Sequence, residues 1–171
     1  MKVRQLICVM GIICLVVVGS YAVSPAQEKA TPQDVIQKVK EAVDVLGKSG
    51  GSDLNDFNRP DGPWVFKDTY VVLQNCETGV TAAHPLNPKL LGKNQLGMKD
   101  IKGNLFFAQL CDVAKEPGGG WVEYWFPKPN EQEPSRKVSY ALQVPNTPFI
   151  ALAGIYDDKI SVEELNKLIK K

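Results

Sequence analysis

GGGWVEYWFPKPNEQEPSRKVSY, residues 118–140, reads as two aromatic-rich strands joined by a polar hairpin loop marked by prolines. Alternation in WVEYWF puts Trp121, Glu123 and Trp125 on one face and Val122, Tyr124 and Phe126 on the other. A sheet with aromatic surface on both faces needs cover on both. The same ribbon holds Glu123, Arg136 and Lys137, whose burial is costly without partners. Such a mixture predicts a lined pocket as well as a core.

Outward from the hairpin, the chain offers elements to supply that cover. PQDVIQKVKEAVDVLGKSGG reads as one amphipathic helix, capped by Thr31, with Pro32 in the first turn and Gly50 and Gly51 past its end. Val35, Ile36, Val39, Val43 and Leu46 fall on one face of it. The GKS at Gly47 is a helix stop, because a phosphate loop would need glycine where Ala42 stands and a strand before it. WVFKDTYVVLQN then has strand character, and CETG turns the chain into VTAAH, giving the first two strands of an antiparallel sheet. Residues 84–104 run long and irregular, beyond ordinary hairpin length, and residues 104–115 predict a helix led in by a turn at 100–103. Asp100 reads as a turn and cap residue. After the hairpin, TPFIALAGIYDD predicts a last strand, and SVEELNKLIKK a short helix with Ser161 and Glu164 as its capping box. The expected class is α+β: a five-stranded antiparallel sheet with the long N-terminal helix on one face and the helical crossover on the other.

The chain has 171 residues, 20 Lys plus Arg against 19 Asp plus Glu, and 44% hydrophobic content, which fits one globular domain and gives no basic excess for nucleic acid. MKVRQ followed by LICVMGIICLVVVG and the small-residue pattern to Ala22 has the build of a secretory signal peptide over residues 1–22. Its rival is an uncleaved membrane anchor over 6–23, facing the periplasm. Cleavage removes Lys2 and Arg4 and leaves 18 basic against 19 acidic residues. Residues 23–30 then form a linker and 31–171 the domain. Cys8 and Cys14 leave with the leader, so Cys76 and Cys111 remain as an even pair in an exported chain. A disulfide is the reading the compartment favours; a redox switch is the alternative.

VTAAHPLNPKLLGKN, MKDIKGN, GGGWVEYWFPKP, KVSY and FIALAGIYDD, taken in order, resemble the single Cache domain of bacterial extracytoplasmic sensors, with a PAS-like sheet. The resemblance covers residues 64–158. It implies the ligand-sensing part of chemoreceptors and sensor kinases, with short organic carboxylates such as acetate, propionate or pyruvate as ligands. The sequence ends about one short helix after Asp158, from which the expectation is a signalling output on another chain, such as a membrane-bound sensor. A homodimer through the N-terminal helix is a further expectation from the resemblance.

The resemblance also nominates site residues. Lys137, in the KxSY block, would neutralise a carboxylate by a charge-assisted hydrogen bond, and Tyr140 could donate its hydroxyl to the same anion. In a regular strand these two point to opposite faces, so one ligand meets both only through a bulge or around an edge. His84, the single histidine, stands at the end of the second strand for a ligand contact or a loop-anchoring hydrogen bond. Tyr124 and Trp121 would be pocket walls or plain core, with Phe106 or Phe107 closing the far side. No metal or cofactor is expected, because ligating residues are not clustered. No nucleophile elbow, HExxH or phosphate loop is present, so the expectation is a non-enzyme. An interaction module with a vestigial pocket is the rival reading.

Overall fold

The structure is a computed structural model that describes residues 28–52 and 54–169. The signal-peptide reading of residues 1–22, and all but the last three residues of the linker, lie outside the described residues.

Helix α1 (Pro32–Lys48) begins at Thr31, whose hydroxyl accepts from the Asp34 amide while the Asp34 carboxylate accepts from the Thr31 amide. This reciprocal capping satisfies two backbone donors that the helix itself cannot. Val35, Val39, Ala42, Val43 and Leu46 are its buried stripe, close to the set expected from the spacing. Beyond the C-cap, Gly50 and Gly51 take positive φ of 62° and 78°, a conformation that disfavours side chains with a Cβ.

The segment 64–75 departs from the single expected strand. It forms a two-residue hairpin, β1 (Val65–Phe66) and β2 (Thr69–Tyr70), and then β3 (Val72–Asn75). The chain reverses at Lys67, which has φ 47°. Ionic contacts hold this turn against the start of α1: the Lys67 ammonium lies 2.7 Å from Asp34 and 2.9 Å from Glu28, and the Asp68 carboxylate accepts from the Ala30 amide. Long-range charge pairing thus overrode the β-propensity of the run. Lys67 also holds the Asp34 carboxyl down to about 2, helped by the Thr31 cap.

Strands β4 (Thr81–Ala83), β5 (Gly120–Pro127), β6 (Pro134–Gln143) and β7 (Phe149–Tyr156) complete a five-stranded antiparallel sheet in the order β4-β3-β7-β6-β5. The crossover between β4 and β5 carries α2 (Phe106–Ala114), shorter at both ends than the predicted 104–115. Asp100 binds the turn before it, accepting from the backbone of Lys102 and Asn104, and also reaches the Trp125 amide on β5. It serves as a turn residue, and the N-cap of α2 falls instead on Leu105. Helix α3 (Val162–Ile169) follows β7 with the expected Ser161 and Glu164 box.

One face of the sheet, through Trp121, Val138, Tyr140, Ala151, Ala153 and Ile155, packs with the α1 stripe and Leu165 of α3. The other, through Val72, Val122, Tyr124, Ala141, Ile150 and Leu152, packs against Phe106, Phe107 and Leu110 of α2. A Cys76–Cys111 disulfide pins α2 to the end of β3. The expected architecture, with α1 on one face and the crossover on the other, is the one observed.

Candidate functional site

Antiparallel register decides the site. On β5 and β6 the pairs Tyr124↔Lys137 and Val122↔Ser139 look toward α2, while Trp121↔Tyr140 look toward α1. No bulge interrupts β6 between Lys137 and Tyr140, so period-two alternation keeps the two apart. Tyr140 is therefore withdrawn from the candidate site. Its hydroxyl donates to the Gly118 carbonyl at 2.6 Å, inside the packing against α1, and burial pushes its pKa up to about 12. Trp121 leaves with it, its ring 5.5 Å from that of Tyr140. Both were expected at the ligand, and both lie on the opposite face of the sheet.

Lys137, by contrast, is 3% exposed on the α2 side, among aromatic rings. Its ammonium nitrogen lies 3.5 Å from the Tyr70 hydroxyl, 4.7 Å from the Tyr70 ring centre, 5.0 Å from that of Tyr156 and 5.9 Å from that of Phe126. Among the described residues no carboxylate pairs with it. Burial works against its charge, but the phenolic oxygens of Tyr70, Tyr124 and Tyr156 outweigh that and raise its pKa. Cation–π contact adds to the same effect. A buried ammonium with donors to spare and no counter-ion among the described residues can pair with an anion.

The remaining walls come from the other strands, from α2 and from the loop after β4. Tyr124 stacks on Phe106 of α2, ring centres 4.4 Å apart, and its hydroxyl bonds the Ser139 hydroxyl at 2.9 Å. Phe126 sets its edge to both rings. His84 is buried with its ring 4.8 Å from that of Tyr70. Its Nδ1 accepts from the Asn87 amide at 2.9 Å, which requires a neutral ring and places the hydrogen on Nε2. Burial, and next the nearby Lys137 charge, lower its pKa to about 3. The same bond ties down the loop after β4, one of the two roles expected of this histidine.

Lys137, Tyr70, His84, Phe106, Tyr124 and Phe126 enclose one cavity, with Val72, Thr81, Leu90, Phe107, Leu110 and Leu152 completing its lining. It measures about 30 Å³, against about 10–15 Å³ needed to hold one water. An outer chamber of about 220 Å³ shares Tyr70, His84 and Phe126 with it and runs under the β5–β6 loop at Lys128 and Glu131. Tyr156 donates to the Pro127 carbonyl at 2.7 Å and so fixes the base of that loop. A larger groove of about 650 Å³ lies between α1 and α3, away from Lys137 and lined by Gln33, Lys40, Glu41 and Asp44 among others. Among the described residues no group of three or more His, Cys, Asp or Glu is placed to hold a metal.

Of the six residues expected at the ligand, the structure brings Lys137, His84, Tyr124 and Phe106 to one cavity. Sequence reasoning missed Tyr70, Phe126 and Tyr156. Phe126 was within reach, since alternation puts it on the face of Tyr124. Tyr70 and Tyr156 had no local signal, because Tyr156 meets Lys137 through the pairing of β6 with β7 and Tyr70 through the run of the chain from β2 into β3.

The sequence model described as single Cache domain 2 matches residues 16–169. Over 85 residues, 50% of this chain, the sequence is 32% identical to the methyl-accepting chemotaxis protein McpP of Pseudomonas putida, of whose length it spans only 16%. Among solved structures, a periplasmic sensor domain of a chemotaxis protein aligns with TM-score 0.58 and 23% identity, covering 72% of this chain and 93% of that one. A methyl-accepting chemotaxis protein from Vibrio parahaemolyticus aligns with TM-score 0.60 and 23% identity, covering 75% and 90%. A Cache chemosensory domain described for its carboxylic acid recognition aligns with TM-score 0.57 and 26% identity, covering 72% and 86%.

Proposed function

Because the chain belongs to the single Cache domain family, we propose that it is a non-catalytic sensor-type domain that binds a short organic carboxylate between its sheet and α2. The observation that carries the reading is the buried, unpaired ammonium of Lys137 inside an aromatic cavity. The anion takes the place of the missing counter-ion, and the rings of Tyr70, Tyr124, Phe106 and Phe126 keep water from weakening the contact. His84 adds a neutral Nε2–H donor on the same wall. The small volume favours the shortest acids, acetate, propionate or pyruvate. The likeness to a Cache domain described for carboxylic acid recognition supports the same class.

Residues 1–22 direct export in this reading, and the protein works in the periplasm or outside the cell, where a Cys76–Cys111 disulfide persists. Among the described residues no helix is long and apolar enough to cross a membrane. Its output passes to a membrane-bound sensor or chemoreceptor, with α1 as the surface for a homodimer. A thermal-shift screen of acetate, propionate, pyruvate and lactate tests the reading: at least one raises Tm in the wild type and none does in Lys137→Ala. A flat response from the wild type to all of them rejects it.

A cavity of only about 30 Å³ favours a second reading, a vestigial pocket in a module that docks on a partner subunit. Co-purification with a periplasmic partner, together with a flat response to the acids, selects that reading.

A further inference from the structure

Four of the five large apolar side chains exposed among the described residues, Leu86, Met98, Ile101 and Leu105, lie between β4 and α2. The most exposed, Ile101 at 64%, sits in the turn over residues 100–103. That turn is braced. The Asp100 carboxylate accepts from the backbone amides of Lys102, Asn104 and Trp125 and from the Asn104 side chain, and the Gly103 amide donates to the Asp100 carbonyl. Ile101 is therefore held out in water by a rigid turn, which marks a surface shaped for contact. Lys99 and Lys102 flank it, both exposed, and among the described residues no carboxylate pairs with either. Residues 84–105 carry four lysines against the single acid Asp100, whose carboxylate is used within the turn, while the rest of the chain has 16 basic residues against 18 acidic ones. The Lys102 ammonium lies 5.1 Å from the ring centre of half-buried Trp125. In the neighbouring hairpin Glu123 pairs with Arg136 and Glu131 with Lys128, which leaves only Glu133 to oppose this positive charge.

We propose that this turn is a membrane-contact surface: Met98 and Ile101 enter the interfacial layer of a bilayer that contains anionic phospholipid, Lys99 and Lys102 meet the phosphates, and Trp125 stands at headgroup level behind them. The inference is independent of the carboxylate reading. A braced tip of two apolar side chains is far smaller than the roughly 800 Å² per partner of a stable protein interface. A bilayer accepts such a tip, because apolar groups and long-stemmed lysines settle at different depths in it. The position in the fold agrees. The chain enters the domain at Glu28, paired with Lys67, and Lys29 shares a chamber with Lys128, Glu131 and Tyr156 at the hairpin end of the sheet. Trp125, to which the turn is tied, stands two residues before the end of β5 at that same end. The apolar run at 6–23 comes five residues before Glu28, a reach of at most about 17 Å. On a nascent or anchored chain this end stands beside the bilayer, and on a cleaved chain the turn keeps the domain near a membrane-bound partner.

The test mixes the chain recovered from the periplasmic fraction with vesicles of phosphatidylglycerol or of phosphatidylcholine whose acyl chains carry bromine, a contact quencher of tryptophan emission. Trp64 and Trp121 are 7% and 2% exposed, so Trp125 is the indole that lipid reaches. Phosphatidylglycerol quenches the wild type, salt weakens the effect, and phosphatidylcholine quenches far less. Each lysine near an anionic surface is worth about fivefold in partitioning, so Lys99→Gln/Lys102→Gln needs about 25-fold more phosphatidylglycerol for half-quenching. Met98→Ser/Ile101→Ser needs at least about fivefold more. Val45→Ser, which removes the fifth exposed apolar side chain, on α1, behaves as the wild type. Melting curves certify the fold of each variant, since every substituted side chain is exposed. Absence of quenching by phosphatidylglycerol overturns the proposal and assigns the turn to a protein partner. Quenching that survives both double variants, or that Val45→Ser abolishes, overturns it in favour of contact through another face.

Discussion

The Lys137 ammonium nitrogen lies 3.5 Å from the hydroxyl of Tyr70 and 4.7 Å from the centre of its ring, and no carboxylate among the described residues approaches it. Sixty-seven positions separate the two in sequence. They meet because β2 hands the chain to β3, which pairs with β7, which in turn pairs with β6. The cation is held there by aromatic rings and a phenolic oxygen in place of a counter-ion.

Lys137→Met therefore separates stability from binding. A methionine of similar length keeps the packing against the surrounding rings and removes the charge. The expected result is a ligand-free variant that still unfolds cooperatively, with the carboxylate-induced Tm shift abolished. A variant that still responds to the acids would show that the anion binds elsewhere.

His84 gives the domain an acid-sensitive stability. Its folded pKa, about 3, lies below the ordinary value of 6.5, so the unfolded chain takes up the proton first. Stability from this group is whole above pH 6.5 and is lost as pH falls toward 3, by up to about 4 kcal/mol. Urea unfolding at pH 7.5 and pH 5 should show a larger loss for the wild type than for His84→Gln. Parallel losses in the two proteins would mean that other groups carry the acid sensitivity.

The Cys76–Cys111 bond closes a 35-residue separation. Reduction, or the Cys76→Ala/Cys111→Ala variant, should cost about 3–4 kcal/mol of stability. Since Cys111 sits in α2 beside the cavity wall residue Leu110, the same change should weaken acid binding by loosening that wall. Melting curves with and without a phosphine reductant measure the first effect and calorimetry the second. A redox-switch role predicts reversible gain of binding on reduction, the opposite sign.

Tyr140→Phe tests the assignment of faces. It removes the hydroxyl that donates to the Gly118 carbonyl, so about 1 kcal/mol of stability should go, while affinity for carboxylates stays unchanged. Phe106→Ala, on the other face, should change affinity as well as stability, because Phe106 both stacks on Tyr124 and walls the cavity. If Tyr140→Phe lowers affinity as much as Phe106→Ala, the anion lies on the α1 side.

Much of the fold was legible because its signals are local. The Thr31 and Ser161 boxes, the apolar stripe of α1 and the two-faced aromatic hairpin each arise from residues within a turn or a strand of one another. The hairpin β1–β2 was not legible, because its turn at Lys67 depends on Asp34 and Glu28, far away in sequence. The cavity was half legible. Lys137 and His84 came from the resemblance, Tyr124 and Phe106 from the strand face and the crossover helix, while Trp121 and Tyr140 lie on the face that packs against α1.

Alternation by itself determined that Lys137 and Tyr140 could not share a face, as it determined that Trp121 and Tyr124 could not, because successive strand residues must point to opposite sides of the pleat. It could not say which face would meet α2. That choice belongs to tertiary packing: α1 and α3 bury the Trp121 and Tyr140 side, the disulfide holds α2 over the other, and Tyr70 and Tyr156 reach Lys137 from strands that only sheet pairing brings near.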